Sequence, residues 1–163
     1  MTRDFQLTDE FLDRMTKHSL VYVATPYSKY DAGLDAAYEE ACTVTGELLR
    51  FDVKAFSPIA HSHGISKYAN IDPLDHQFWM RADKTYIDKA DALIVVQLDG
   101  WDESVGVAME IRDFREAGKP IEYIRAFRSK HKLTQGRIIQ NLISSLIILA
   151  FTFLFYLALF GGR

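Results

Sequence analysis

Residues 92–98 read ALIVVQL, six apolar side chains out of seven without alternation. A strand with one face in water alternates apolar and polar residues, so an unbroken run needs cover on both faces, as inside a parallel sheet flanked by helices. The rest of the chain must therefore supply further strands and at least two layers of helix. Leu20–Ala24 (LVYVA) is a second β-rich run, ended at Thr25-Pro26 where proline removes a ladder donor. Val53–Ser57 (VKAFS), stopped by Pro58, and Pro120–Ile124 complete four strands. Between them, Asp31–Arg50 sets Leu34, Ala37, Tyr38, Ala41, Val44 and Leu48 at the intervals of an amphipathic helix. Leu74–Lys89 and Ser104–Glu116 form a second and third helix, the latter ended by Gly118, while the His, Ser, Gly and Asn of 61–72 read as a loop.

The order β-α-β-α-β-α-β with short links predicts an α/β domain: a small open parallel sheet of the flavodoxin or Rossmann-like kind, helices on both faces, right-handed crossovers. Such sheets bind ligands beyond the carboxyl ends of the strands, where strand order reverses. That rule nominates the loops Thr25–Ser28 and Asp99–Ser104. Neither contains G-x-G-x-x-G or a P-loop, which removes the main support for dinucleotide or ATP chemistry, and no cofactor is expected. The second loop runs through Ser104-Val-Gly-Val-Ala-Met-Glu110 into a helix N-terminus, whose free N–H groups favour an anion. At about 100° per residue Gly106 and Glu110 stand about 40° apart, a carboxylate beside a gap at the edge of an apolar arc. Glu110 is thus either a solvated helix charge or a group facing a ligand. Asp83, with Asp75, Arg81 and Lys84 nearby, reads on residues alone as a surface charge. His61-Ser-His63 lacks a third ligand at metal spacing, so no metal is expected and His63 is assigned to the pocket or to anchoring its loop. Trp101 and Trp79 can stack on a base or seal core; Asp99 can orient a reacting group, or it and Asp102 make turn and cap bonds.

The C-terminal part has a different character. No Asp or Glu follows Glu122, so residues 1–124 carry a net charge of −9 and residues 125–163 carry +6. Nineteen residues from Leu142 to Phe160 are free of charge, about 28 Å of helix against a hydrocarbon thickness of about 30 Å, which predicts one transmembrane helix over 138–160. Arg125, Arg128, Lys130, Lys132 and Arg137 precede it, a basic juxtamembrane linker over 125–137 that favours anionic lipid. The positive-inside bias puts the N-terminal domain in the cytoplasm as a single-pass tail anchor, and nucleic acid is not an expected partner. The leader, residues 1–19, is too polar and acidic for a secretory signal. The lone Cys42 cannot form an internal disulfide, which suits a reducing compartment.

VYVATPYS, FSPIAHSH and ALIVVQLDGWDESVGVAMEI resemble a bacterial and phage domain family of uncharacterised function over about residues 20–124. That family is similar to the nucleoside 2-deoxyribosyltransferase-like superfamily, mainly through Ser104-x-Gly106-x-x-x-Glu110. The resemblance implies cleavage of the N-glycosidic bond of a nucleoside or nucleotide, by hydrolysis or by 2-deoxyribosyl transfer, with Glu110 as nucleophile on C1′ of the sugar. It makes Asp83, in the D-x-T-x-I pattern before the central strand, the group that protonates or positions the departing base. Tyr22 would pack near the sugar, Ser28 and Ser104 would meet a 5′-phosphate, and a homo-oligomer would be usual. The glycine-rich first loop of some nucleotide-cleaving members is replaced here by Thr25-Pro26-Tyr27-Ser28. Two other functions fit the same residues: a nucleotide-binding module without turnover, and a membrane interaction module whose domain only docks.

Overall fold

The unbroken apolar run is one of two central strands. The computed structural model describes residues 3–128. In it β4 (Ala92–Gln97) lies between β2 (Val21–Ala24) and β5 (Ile121–Arg128), and β3 (Ala55–Phe56) lies outside β2; all four are parallel. Val21 to Ala24 pair with Ala92 to Val95 in order, and Leu93 to Gln97 pair with Ile121 to Arg125. The short β1 (Arg3–Phe5) gives the full order β1-β5-β4-β2-β3. All four residues of β2 and the first five of β4 are buried, the double cover that their composition demands.

The period of two along each strand divides the core between the faces. Val21, Val23, Ile94 and Val96 join Ala37, Val44 and Leu48 of α2 (Leu34–Arg50) on one face. Phe11 and Met15 of α1 (Asp9–Met15) belong to the same cluster. On the other face Tyr22, Ala24, Leu93 and Val95 meet Ile87 of α4 (His76–Lys89) and Val107 and Phe114 of α5 (Val105–Glu116). Each such large apolar side chain contributes about 1.5–3 kcal/mol by leaving water.

Three expectations change. Residues 61–72 are not a loop but mostly helix, α3 (Pro58–Ala69). The Ser57 hydroxyl accepts from the Ala60 N–H at 3.3 Å, Pro58 occupies the first turn where its missing N–H is harmless, and Asn70 in the left-handed conformation ends the helix. Only Pro58 and Ser66 of this helix are buried, so its sequence carries almost no apolar stripe. The polar leader contributes a capped helix, α1, in which Thr8 accepts from the Phe11 N–H at 3.2 Å. β5 continues four residues past Ile124 into the stretch expected as linker. The rest of that linker and the expected membrane helix over 138–160 lie outside the described residues; among the described residues no helix is long and apolar enough to cross a membrane.

Candidate active site

From β2 the sheet grows outward on one side to β3 and on the other to β4, so the chain segments leaving β2 and β4 diverge and open a crevice at their carboxyl ends. A cleft of about 380 Å³ occupies that position, within the size range of small-ligand sites. Its floor and walls come from the loop after β2 (Thr25, Tyr27, Ser28) and from the first turns of α3 and α5. The remaining wall is one face of α4, where His76, Trp79, Met80 and Asp83 recur at three- and four-residue intervals.

Glu110 is the chemically distinctive member. It lies one turn into α5 past Gly106, is 8% exposed, and its Oε1 accepts a 2.9 Å hydrogen bond from the fully buried Tyr22 hydroxyl. Burial pushes its carboxyl up to about 8; the Tyr22 bond opposes the shift, and the charges of Asp83 and Asp113 add to it. Burial also raises Asp83, to about 6. Tyr22 is held well above its ordinary value by burial and by the neighbouring carboxylates, so it remains a donor. At pH 7 the ligand-free pair therefore holds one proton, on Glu110, and one negative charge, on Asp83. No lysine or arginine is among the residues lining the cleft, and no group of three or more potential metal ligands occurs among the described residues.

Gly106 leaves space beside this carboxyl, since a Cβ built there would meet nothing nearer than the Ser104 oxygen at 3.9 Å. The Ser104 hydroxyl caps α5 by accepting from the Val107 N–H at 3.4 Å, which leaves its own hydrogen to donate. Ser28 lines the cleft from its exposed rim.

Of the residues singled out from the sequence, Glu110, Asp83, Ser28, Ser104 and Gly106 line one cleft, with Tyr22 beneath them. His63, Asp99 and Trp101 do not line it. Trp101 packs edge-on against Tyr123 of β5 at 5.9 Å, and Asp99 is exposed. His63 stands behind the cleft wall, its Nδ1 2.8 Å from the Tyr27 hydroxyl, its Nε2 3.1 Å from Asp35 and its ring stacked on Tyr38 at 4.3 Å. It is a buttress for Tyr27, which does reach the cleft. Sequence reasoning reached Thr25 only as part of a nominated loop and Trp79 only as a stacking alternative, and passed over the rest of that wall, Met80, Leu74 and Ile59. The spacing of His76, Trp79, Met80 and Asp83 on a single helix was the available signal. Trp79 is fixed by its indole N–H, which donates to the Asp72 carbonyl at 2.9 Å.

Residues 19–125 match the model of a family described as a domain of unknown function, DUF1937. No curated protein matches the chain.

Proposed function

This chain belongs to the DUF1937 family, and for it we propose an N-glycosidase or 2-deoxyribosyltransferase activity on nucleosides, with Glu110 as nucleophile and Asp83 as acid. The observation that carries the reading is the buried Glu110 carboxyl, bonded to Tyr22 and sharing a cleft with a second raised carboxyl. Two carboxyl groups with one proton between them are the equipment of glycosidic displacement. Glu110 attacks C1′, the electron pair of the C1′–N bond leaves with the base, and Asp83 delivers a proton to the departing nitrogen. Water or a second base then opens the glycosyl ester, giving hydrolysis or transfer. The resemblance through Ser104, Gly106 and Glu110 supports the same assignment, and the apolar wall of Trp79, Met80 and Leu74 suits a flat base.

Attack requires Glu110 ionised and Asp83 protonated, the reverse of the resting arrangement. Two pH units separate the groups, so about one molecule in a hundred carries the proton on Asp83. The productive state needs one proton in total, which gives a bell-shaped dependence of kcat/KM with limbs near 6 and 8. A cleft with a net negative charge and no lysine or arginine among its lining residues also favours neutral nucleosides over their 5′-monophosphates.

The test is incubation of the full chain with ribo- and deoxyribonucleosides and their monophosphates, with free base followed by chromatography between pH 5 and 9. Base release from at least one nucleoside, with the two limbs, is the expected result. No release from any member, together with ligand-induced thermal stabilisation, would turn the reading toward a binding module.

We propose in addition that residues 138–160 anchor the chain in a membrane with this domain on the cytoplasmic side, supported by their charge-free run and the basic residues before it. The expressed chain should then sediment with membranes and resist extraction by alkaline carbonate. Recovery in the wash would remove the anchor from the proposal.

A further inference from the structure

Thr25 follows the last residue of β2, is 5% exposed, and lines the cleft. Its Oγ1 is the one buried side-chain oxygen or nitrogen among the described residues with no hydrogen-bond partner. Native interiors rarely keep such a group, because a hydroxyl withdrawn from water and left unpaired weakens the fold, and valine would fill the same space without that penalty. The surrounding core shows how readily an apolar residue fits here: Val21, Val23 and Ala24 precede it on the strand, all fully buried. The hydroxyl has no structural partner to serve on the protein side, whereas the residue that bears it faces a cavity with room for a ligand. Its oxygen is closed to solvent in the ligand-free chain although the residue lines the cleft, so meeting a ligand requires a step between staggered χ1 positions, which carries the hydroxyl into the place of the methyl group or of the Cβ hydrogen.

We propose that Thr25 is a specificity-determining residue that hydrogen-bonds a hydroxyl of the ligand's sugar, turning to meet it on binding. The inference rests on the nucleoside reading of the cleft and deepens it. A sugar hydroxyl is the group this oxygen suits: both donate and accept, both are neutral, and neither adds charge to a cavity that already holds Asp83 and Glu110. Tyr22, three residues earlier and within β2, bonds the nucleophile, so one short strand and the residue that follows it set both the reacting carboxylate and the hydroxyl that recognises the sugar. A site built in this way discriminates strongly against analogues that lack the matching group, because the protein hydroxyl is then left unpaired.

The experiment compares the full chain with Thr25→Val and Thr25→Ser, using nucleosides that each lack a single sugar hydroxyl. The ligand-free Val variant should melt at the parent temperature or above it, while its KM for the complete nucleoside rises at least about tenfold. One deoxy analogue should lose about as much on the parent and lose nothing further on the Val variant, and the Ser variant should retain recognition. A ligand-free Val variant that melts well below the parent would overturn the proposal, since it would reveal an internal partner for the hydroxyl. An unchanged KM on an active Val variant would overturn it as well, leaving the nucleoside reading intact. Absence of base release and of binding by the parent would instead fail that reading and take this inference with it.

Discussion

Glu110→Gln is expected to abolish base release while making the folded chain more stable at neutral pH. Glutamine keeps the shape of the side chain, and its amide oxygen can still accept from the Tyr22 hydroxyl, so the site should survive as a structure. What it loses is the carboxylate proposed as nucleophile, and the expected fall in kcat/KM is at least about 10³-fold. The stability change has the opposite sign for a calculable reason. The carboxyl titrates at about 8 when folded, against an ordinary value of 4.5. A raised acid value means that the folded state holds the proton more tightly, so the stabilisation is complete below about 4.5 and is lost as pH climbs through 8. At pH 7 the parent has forgone about 2.5 units of it, roughly 3 kcal/mol, and the neutral amide forgoes none. Calorimetry at pH 4, 6 and 8 should therefore show melting temperatures that separate as pH rises, with the variant higher by several degrees at neutrality. A group retained against stability is the mark of a functional residue. Undiminished turnover in the variant would refute the nucleophile, and a melting difference that ignores pH would refute the buried carboxyl.

The parts of the fold legible in the sequence are those whose burial leaves no choice of residue. ALIVVQL and LVYVA could only be strands with cover on both faces, and they pair with each other in register at the centre of the sheet. The family, too, was legible, in FSPIAHSH and GWDESVGVAMEI. α3 was not, because a helix that buries only Pro58 and Ser66 has no stripe to read, and its start signal, Ser57-Pro58, reads equally well as the end of a strand. Ser104, Gly106 and Glu110 could be found since they are neighbours on one helix entering the switch point. Asp83 could not be found on residues alone, for Arg81 and Lys84 beside it are exposed and disguise the one charge that turns inward. His63, Asp99 and Trp101 illustrate the converse. Chain position put them near the crevice, but side-chain direction is a tertiary property, and the Trp101 ring turns to Tyr123 on the neighbouring strand instead. An unpaired hydroxyl such as that of Thr25 has no signature in sequence, because being unpaired is a property of its surroundings.

The largest loss of stability is expected from Gly100→Ala, a change at a position no chemistry uses. Gly100 follows β4 by three residues and has φ +79°, in the left-handed region that costs an alanine about 1–2 kcal/mol. The larger effect is contact. A Cβ there would lie 2.1 Å from the Lys29 carbonyl oxygen and 2.9 Å from its carbon, so the obstruction is backbone and cannot swing aside. The two loops at the switch point thus touch main chain to main chain, which only glycine permits. Separating them should bring the total to about 3–4 kcal/mol and a fall in melting temperature on the order of 10 °C. Gly118→Ala supplies the internal comparison: φ is +66°, but nothing lies within 4 Å of the added carbon, so only the conformational part of about 1–2 kcal/mol applies. Should the two variants melt within a couple of degrees of each other, the loops are not in contact as described. The same contact bears on function, because the loop containing Lys29 carries Thr25 and Ser28 while the loop containing Gly100 leads into Ser104 and the helix bearing Glu110. Prying them apart shifts Glu110, the proposed nucleophile, relative to the opposite rim, and a displacement of about 1 Å at a reacting centre can slow turnover about 100-fold. Gly100→Ala protein that is still folded at low temperature should therefore release base far more slowly than Gly118→Ala protein.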